Sequence, residues 1–156
     1  MKNFDIISMV QSGTLGITGF DLDAANSYKV FKFRNALQKA FKKIQELEES
    51  MLKDFGITDP NGLDARVKEL RGKNTLTEEE KTELDELQAK IKKFNETRME
   101  MLNEDAVLEN VKTMPYEQWY KLRKENHPSD PNTPDPLNNY IEGLLEGILW
   151  VAPEEE

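Results

Sequence analysis

Residues 23–55 read DAANSYKVFKFRNALQKAFKKIQELEESMLKDF, and within them Val30, Phe33, Leu37, Ala40, Ile44, Leu47, Met51 and Phe55 recur at steps of three and four. That period lines apolar side chains along one stripe of an α-helix. Asp21 or Asp23 suits the cap at its start, and Gly56 follows its last apolar residue, as helix ends prefer. At 1.5 Å per residue the helix would be about 50 Å long. Tyr28, Phe31, Phe41 and Leu52 lie off the main seam and widen the stripe near both ends. More than one partner element is therefore expected to pack there.

Beyond this helix, Asp59-Pro60-Asn61-Gly62 has the residue order of a reversing turn. Leu63 to Arg71 reads as a short helix. Thr77 with Glu80 forms a capping box, in which hydroxyl and carboxylate reciprocally satisfy backbone N–H groups of a first turn. It opens a second long helix from Glu78 to about Asn103, striped by Leu84, Leu87, Ile91, Phe94, Met101 and Leu102. Two such helices joined by the 56–76 connector predict a long antiparallel hairpin, residues 23–103, crossing at a shallow, coiled-coil-like angle.

The flanks are less regular. Phe4, Ile6, Ile7, Met9 and Val10 fit a short helix or a strand, and Gly13, Gly16 and Gly19 then punctuate an extended segment expected to lie against the hairpin. Residues 106–112 fit a strand or a continuing helical turn. Pro115 suits the first turn of a helix through Tyr116, Trp119, Tyr120 and Leu122. Prolines 128, 131, 134 and 136 mark a connector. Asp135 and Pro136 can open a last helix, in which Leu137, Tyr140, Ile141, Leu144, Leu145, Ile148 and Leu149 keep helical spacing. Residues 151–156 should fray. The expected fold is mainly α, one domain over 1–156, with the N-terminal segment 1–22 and a small module 104–150 packed at the hairpin's open end.

Composition narrows the function. Hydrophobic residues make up 37% and charged residues 33%, a lean core with abundant solvated surface, as elongated helices require. A formal charge of −9 repels phosphate backbones and anionic bilayers, so neither nucleic acid nor membrane is an expected partner. The chain has no Cys and one His, which excludes thiolate chemistry and a multi-histidine metal cage within one chain. Met1 to Val10 lacks the long apolar run of a signal peptide, and no stretch approaches the roughly 20 apolar residues of a span. The expected location is cytoplasmic.

Four constellations invite chemistry. His127 with Ser129 and Asp130 has triad residue types, but neighbours in an extended loop do not converge as a triad must. Asp130, Asn132 and Asp135 offer oxygens without the glycine and terminal glutamate of a calcium loop. Glu78, Glu79, Glu80, Glu83, Asp85 and Glu86 sit at a helix start, where the macrodipole favours carboxylates. Gly143 and Gly147 make a Gly-x-x-x-Gly suited to close packing on the hairpin or on another copy. No catalytic residue, metal or cofactor is expected from these.

The layout from Asn26-Ser-Tyr-Lys-Val-Phe-Lys-Phe-Arg-Asn-Ala-Leu37 to Val111, Pro115 and Trp119 resembles uncharacterised small helical-hairpin proteins encoded by tailed phages and prophages. The shared features are a polar and aromatic lead-in, a helix ending near Phe-Gly, an acidic connector, a returning helix and a short C-terminal module. The resemblance implies a virion-assembly or phage accessory role and supplies no site residues. The expected function is therefore a non-enzymatic interaction or assembly protein that binds a protein partner or itself, with Trp119, Tyr120, Leu144, Ile148 and Trp150 as candidate contacts. The alternative is an acidic inhibitor or regulator docking on a basic partner through the Glu78 to Glu86 face.

Overall fold

In the computed structural model, which describes residues 1–154, the protein is mainly helical, with six α-helices and two two-residue strands among the described residues. These are α1 (Asn3–Gln11), α2 (Ala24–Asp54), α3 (Pro60–Arg71), α4 (Glu78–Leu102), β1 (Met114–Pro115), α5 (Tyr116–Asn126), α6 (Asn139–Leu145) and β2 (Trp150–Val151). Glu155 and Glu156, the end of the expected frayed tail, lie outside the described residues. No described helix is long and apolar enough to cross a membrane.

The caps explain the boundaries. Asp23 accepts the Asn26 N–H at 2.9 Å and both of its oxygens take the Asn26 amide. These bonds hold its carboxyl below the usual aspartate range. At the far end Gly56 has φ +66°, and the N–H groups of Gly56 and Ile57 bond the carbonyls of Lys53 and Leu52. This is a Schellman closure, which needs a left-handed residue that glycine adopts without steric cost. The Thr77–Glu80 capping box is present at 3.1 and 3.2 Å. Asp59-Pro60-Asn61-Gly62 is itself the first turn of α3, with Asp59 capping the Gly62 N–H at 3.0 Å. Asp followed by Pro serves a reversing turn and a helix start equally well, so the residues alone leave that choice open.

The chain divides into two compact units, Met1–Ile44 with the chain from Glu104 onward, and Gln45–Asn103. In the second, the last residues of α2 run antiparallel to α4: Glu48 meets Arg98 at 2.9 Å, and Phe55 meets Phe94 edge to face with centroids 5.7 Å apart. Helix α3 packs on α4, with Arg66 holding Glu83 bidentately at 2.8 and 2.9 Å. The first part of α2 takes other partners. Lys29 donates to the Thr113 carbonyl at 2.9 Å and Arg34 to the Leu15 carbonyl at 2.8 Å. Thus the expected hairpin pairing occupies the stretch after Ile44, while residues 24–44 serve as the central helix of the first unit.

That first unit buries Ile6 and Met9 of α1, Val30, Phe33 and Leu37 of α2, Trp119 and Leu122 of α5, and Leu137, Ile141, Leu145 and Leu149 around α6. The N-terminal segment is helical over α1, turns at Gly13 (φ +88°) into a single 3-10 turn at Thr14–Gly16 where an extended chain was expected, and is then stitched to the C-terminal module. The Asn126 amide pairs with both backbone groups of Thr18, as a strand would, at 2.9 and 2.8 Å. The Glu125 carboxylate gathers the Thr18 hydroxyl and the N–H groups of Phe20 and Asp21 at 2.6, 3.1 and 2.5 Å. Removing a charged acceptor from such donors costs about 1–2 kcal/mol where solvent partly compensates. Glu125→Ala should destabilise by that amount and accelerate exchange of the Phe20 and Asp21 amide protons, which two-dimensional NMR in D2O would read residue by residue.

Two segments differ from the sequence reading. Residues 106–112 form neither strand nor helix; Ala106 donates to the Met1 carbonyl and Asn110 takes φ 61°. The last helix stops at Leu145, because Gly147 turns to φ +77° and β2 then pairs in parallel with β1, Met114 beside Trp150. Its start is also later, since Asn138 caps α6 by accepting the Ile141 N–H at 3.1 Å. The apolar spacing still marks what is buried, but Leu137 and Leu149 reach the core from loops.

Candidate functional site

Between Ala24 and Ile44 the chain has six basic residues, Lys29, Lys32, Arg34, Lys39, Lys42 and Lys43, and no acidic one. In a protein of charge −9 this segregation is large. Each helical residue turns about 100°, so with Val30, Phe33, Leu37 and Ile44 buried, the opposite face carries Tyr28, Phe31, Lys32, Lys39, Lys42 and Lys43. Tyr28 and Phe31 are 57% and 56% exposed, and their rings stack with centroids 6.2 Å apart. Lys32 Nζ lies 5.1 Å from the Tyr28 ring centre, a cation–π contact.

The stack and the cation–π contact thus hold the aromatic pair in one arrangement on the surface. Lys39 approaches Glu109 at only 4.0 Å with both side chains mostly in water, a contact of little energetic weight. Phe20, 86% exposed, follows Gly19, whose backbone lies against Ser27 and Val30. A Cβ at Gly19 would sit 3.3 Å from Val30 Cγ2, so this approach of the loop to α2 favours glycine.

The five residues expected from the sequence scatter. Trp119 and Trp150 are 0% and 7% exposed and therefore belong to the core rather than to a contact surface. Their rings stack at 5.8 Å and 13°, and Tyr116 tilts against Trp150. Both indole N–H groups end on Glu142, one on its carboxylate at 3.2 Å and one on its carbonyl at 2.9 Å, while Arg123 pairs the other carboxylate oxygen at 2.5 Å. A core short of aliphatic residues uses aromatic area and must satisfy the indole N–H, which Glu142 does. Leu144 and Ile148 are half-buried, and Tyr120 is 57% exposed. Gly143 and Gly147 have open space where a Cβ would stand, so this pair makes no close packing with described residues.

The polar connector is occupied by its own backbone. Asp130 caps the Asn132 N–H at 2.9 Å and Asp135 the Leu137 N–H at 3.0 Å, while exposed His127 meets Asp135 at 3.3 Å. On the acidic face, Glu80 pairs with Lys73, Glu83 with Arg66, and Glu78 with Lys81. The hydrogen bond from Lys73 holds Glu80 below the usual carboxyl range, and that from Arg66 does the same for Glu83. A carboxyl whose folded value is depressed stabilises fully above its unfolded value and loses that contribution as pH falls through the folded one. The second unit should therefore weaken as pH falls below about 4.5, with Glu80 and Glu83 taking up their protons below the ordinary glutamate range, as carboxyl-carbon NMR shifts would record.

The basic and aromatic face escaped a reading based on total charge, although the acid-free run from Ala24 to Ile44 was its available signal. No family model, curated protein or solved structure matches the chain, so the reading of this face rests on its own chemistry.

Proposed function

We propose that this chain is a non-enzymatic interaction or assembly protein of the phage or prophage accessory type. On this reading it works in the cytoplasm of the cell that makes it and docks a protein partner through the exposed face of α2. The observation that carries it is the stacked, exposed Tyr28–Phe31 pair, extended by Lys32, Lys39, Lys42 and Lys43 on the same face. Aromatic side chains bring large, rigid contact area, and tyrosine is enriched among residues that dominate binding energy. The lysines select a partner whose apolar site is bordered by carboxylates, and they act mainly on encounter rate and specificity. The acidic-face alternative has less support, because three of its six carboxylates are engaged with Lys73, Arg66 and Lys81.

A photo-crosslinking residue placed at exposed Asn35, between the aromatic pair and the lysines, tests this in the producing cells, with the same probe at Glu86 as comparison. A discrete protein adduct at 35 that disappears in Tyr28→Ser/Phe31→Ser is expected. An adduct at 86 alone would transfer the function to the acidic face, and adducts at neither position would end the proposal.

A further inference from the structure

Helices α3 and α4 leave an open groove of about 930 Å³ along one side of the second unit. Its floor is apolar: Val67 is buried, Ile91 is half-buried and Met99 is 56% exposed. Its charges are sorted by end. On α4, Lys92 is followed at one-turn intervals by Glu96 and Glu100. On α3, Asp64 precedes Lys68 and Arg71. With its amide oxygen turned to the guanidinium, Gln88 accepts from Arg71 Nε at 2.8 Å and Nη2 at 2.6 Å, which places the C-terminal end of α3 beside the start of this α4 face. One end of the groove is therefore basic and the other acidic.

We infer that this groove is a weak self-association site whose occupant is the same groove of a second copy, related by a two-fold axis. A two-fold axis perpendicular to the groove reverses it, so the Lys68, Arg71 and Lys92 end of one copy meets the Glu96 and Glu100 end of the other, and both charge contacts form at once. No other orientation of two identical faces satisfies both ends. Two helix pairs packed face to face make a four-helix bundle, in which the exposed Met99 and the Ile91 seam gain cover. From Gln88 to Glu100 the face is about 18 Å long. That is short for a standard interface, so the dimer belongs to the weak, reversible class. This contact uses none of the α2 face assigned above to a partner, and the two proposals stand or fall separately.

Sedimentation equilibrium of the full chain from about 10 μM to about 1 mM tests it, a range suited to weak interfaces. The wild type should pass from monomer to dimer. Lys68→Glu/Lys92→Glu, whose groove becomes acidic at both ends, and Glu96→Lys/Glu100→Lys, basic at both ends, should each weaken dimerisation at least about tenfold. An equimolar mixture of the two should restore it as a heterodimer. Met99→Lys should abolish it with unchanged helical circular dichroism, while Tyr28→Ser/Phe31→Ser should leave it intact. A wild type monomeric at about 1 mM, a dimer indifferent to Met99→Lys, or a mixture that stays monomeric would each overturn the inference.

Discussion

Trp119→Ala should destabilise the protein by about 3–5 kcal/mol, the usual cost of deleting a fully buried aromatic side chain. Trp119 is 0% exposed and stacks face to face on Trp150, so its loss opens a cavity and removes half of an aromatic pair. It also leaves Glu142, and through it Arg123, without one of the contacts that fix them beneath the module. Native domains hold only about 5–15 kcal/mol in reserve, so the variant should approach its unfolding midpoint at modest urea concentrations. Urea titration followed by near-ultraviolet circular dichroism would show the shift, because the stacked indoles supply much of the aromatic environment. Tyr120→Ala, one residue along and exposed, should change stability by less than about 0.5 kcal/mol. Equal effects at the two positions would mean that α5 is not oriented as described.

A second contrast lies on α2. Phe33→Ala should cost about 3–5 kcal/mol, whereas Phe31→Ala should cost less than about 0.5 kcal/mol. The two residues are chemically identical and two positions apart, roughly 200° around the helix. One is 0% exposed and the other 56%. Thermal or urea unfolding separates them directly. Because Phe31→Ala spares stability, any partner binding it removes is a loss of contact rather than of fold. A large stability loss in Phe31→Ala would show that this side chain is core and would withdraw the central feature of the proposed face.

The comparison of Phe31 with Phe33 also shows why part of the molecule is legible in sequence and part is not. Periodicity reports which residues lie on one side of a helix, and it located Val30, Phe33, Leu37 and Ile44 as a seam and both long helices to within a residue or two. Caps sharpened the ends, as Thr77 with Glu80 and Gly56 illustrate. Periodicity does not say what covers a seam. For residues 24–44 the cover comes from segments distant in sequence, through contacts such as Arg34 on Leu15 and Lys29 on Thr113. Nor does helical spacing distinguish a helix from loops that deliver their apolar residues at similar intervals, as Leu137 and Leu149 do. The proposed face was half legible: the broad apolar stripe near Tyr28 lies on the stretch of α2 that carries it, while the tryptophans, chosen for their frequency at interfaces, are buried in the core.

The discontinuous make-up of the first unit sets a timetable for synthesis. Ile6, Met9, Val30, Phe33 and Leu37 leave the ribosome before Gln45–Asn103, yet Trp119, Leu145, Leu149 and the β2 strand of the same unit are made after it. At translation speeds of about 5–20 residues per second, the stretch from Gln45 to Trp150 takes roughly 5–20 s. Throughout that interval the first half of the core is exposed, while the residues of Gln45–Asn103 are contiguous and can settle as soon as they emerge. The nascent chain is then an apolar, basic α2 tethered to a finished helical unit, a species that chaperones would recognise and the mature protein would not display.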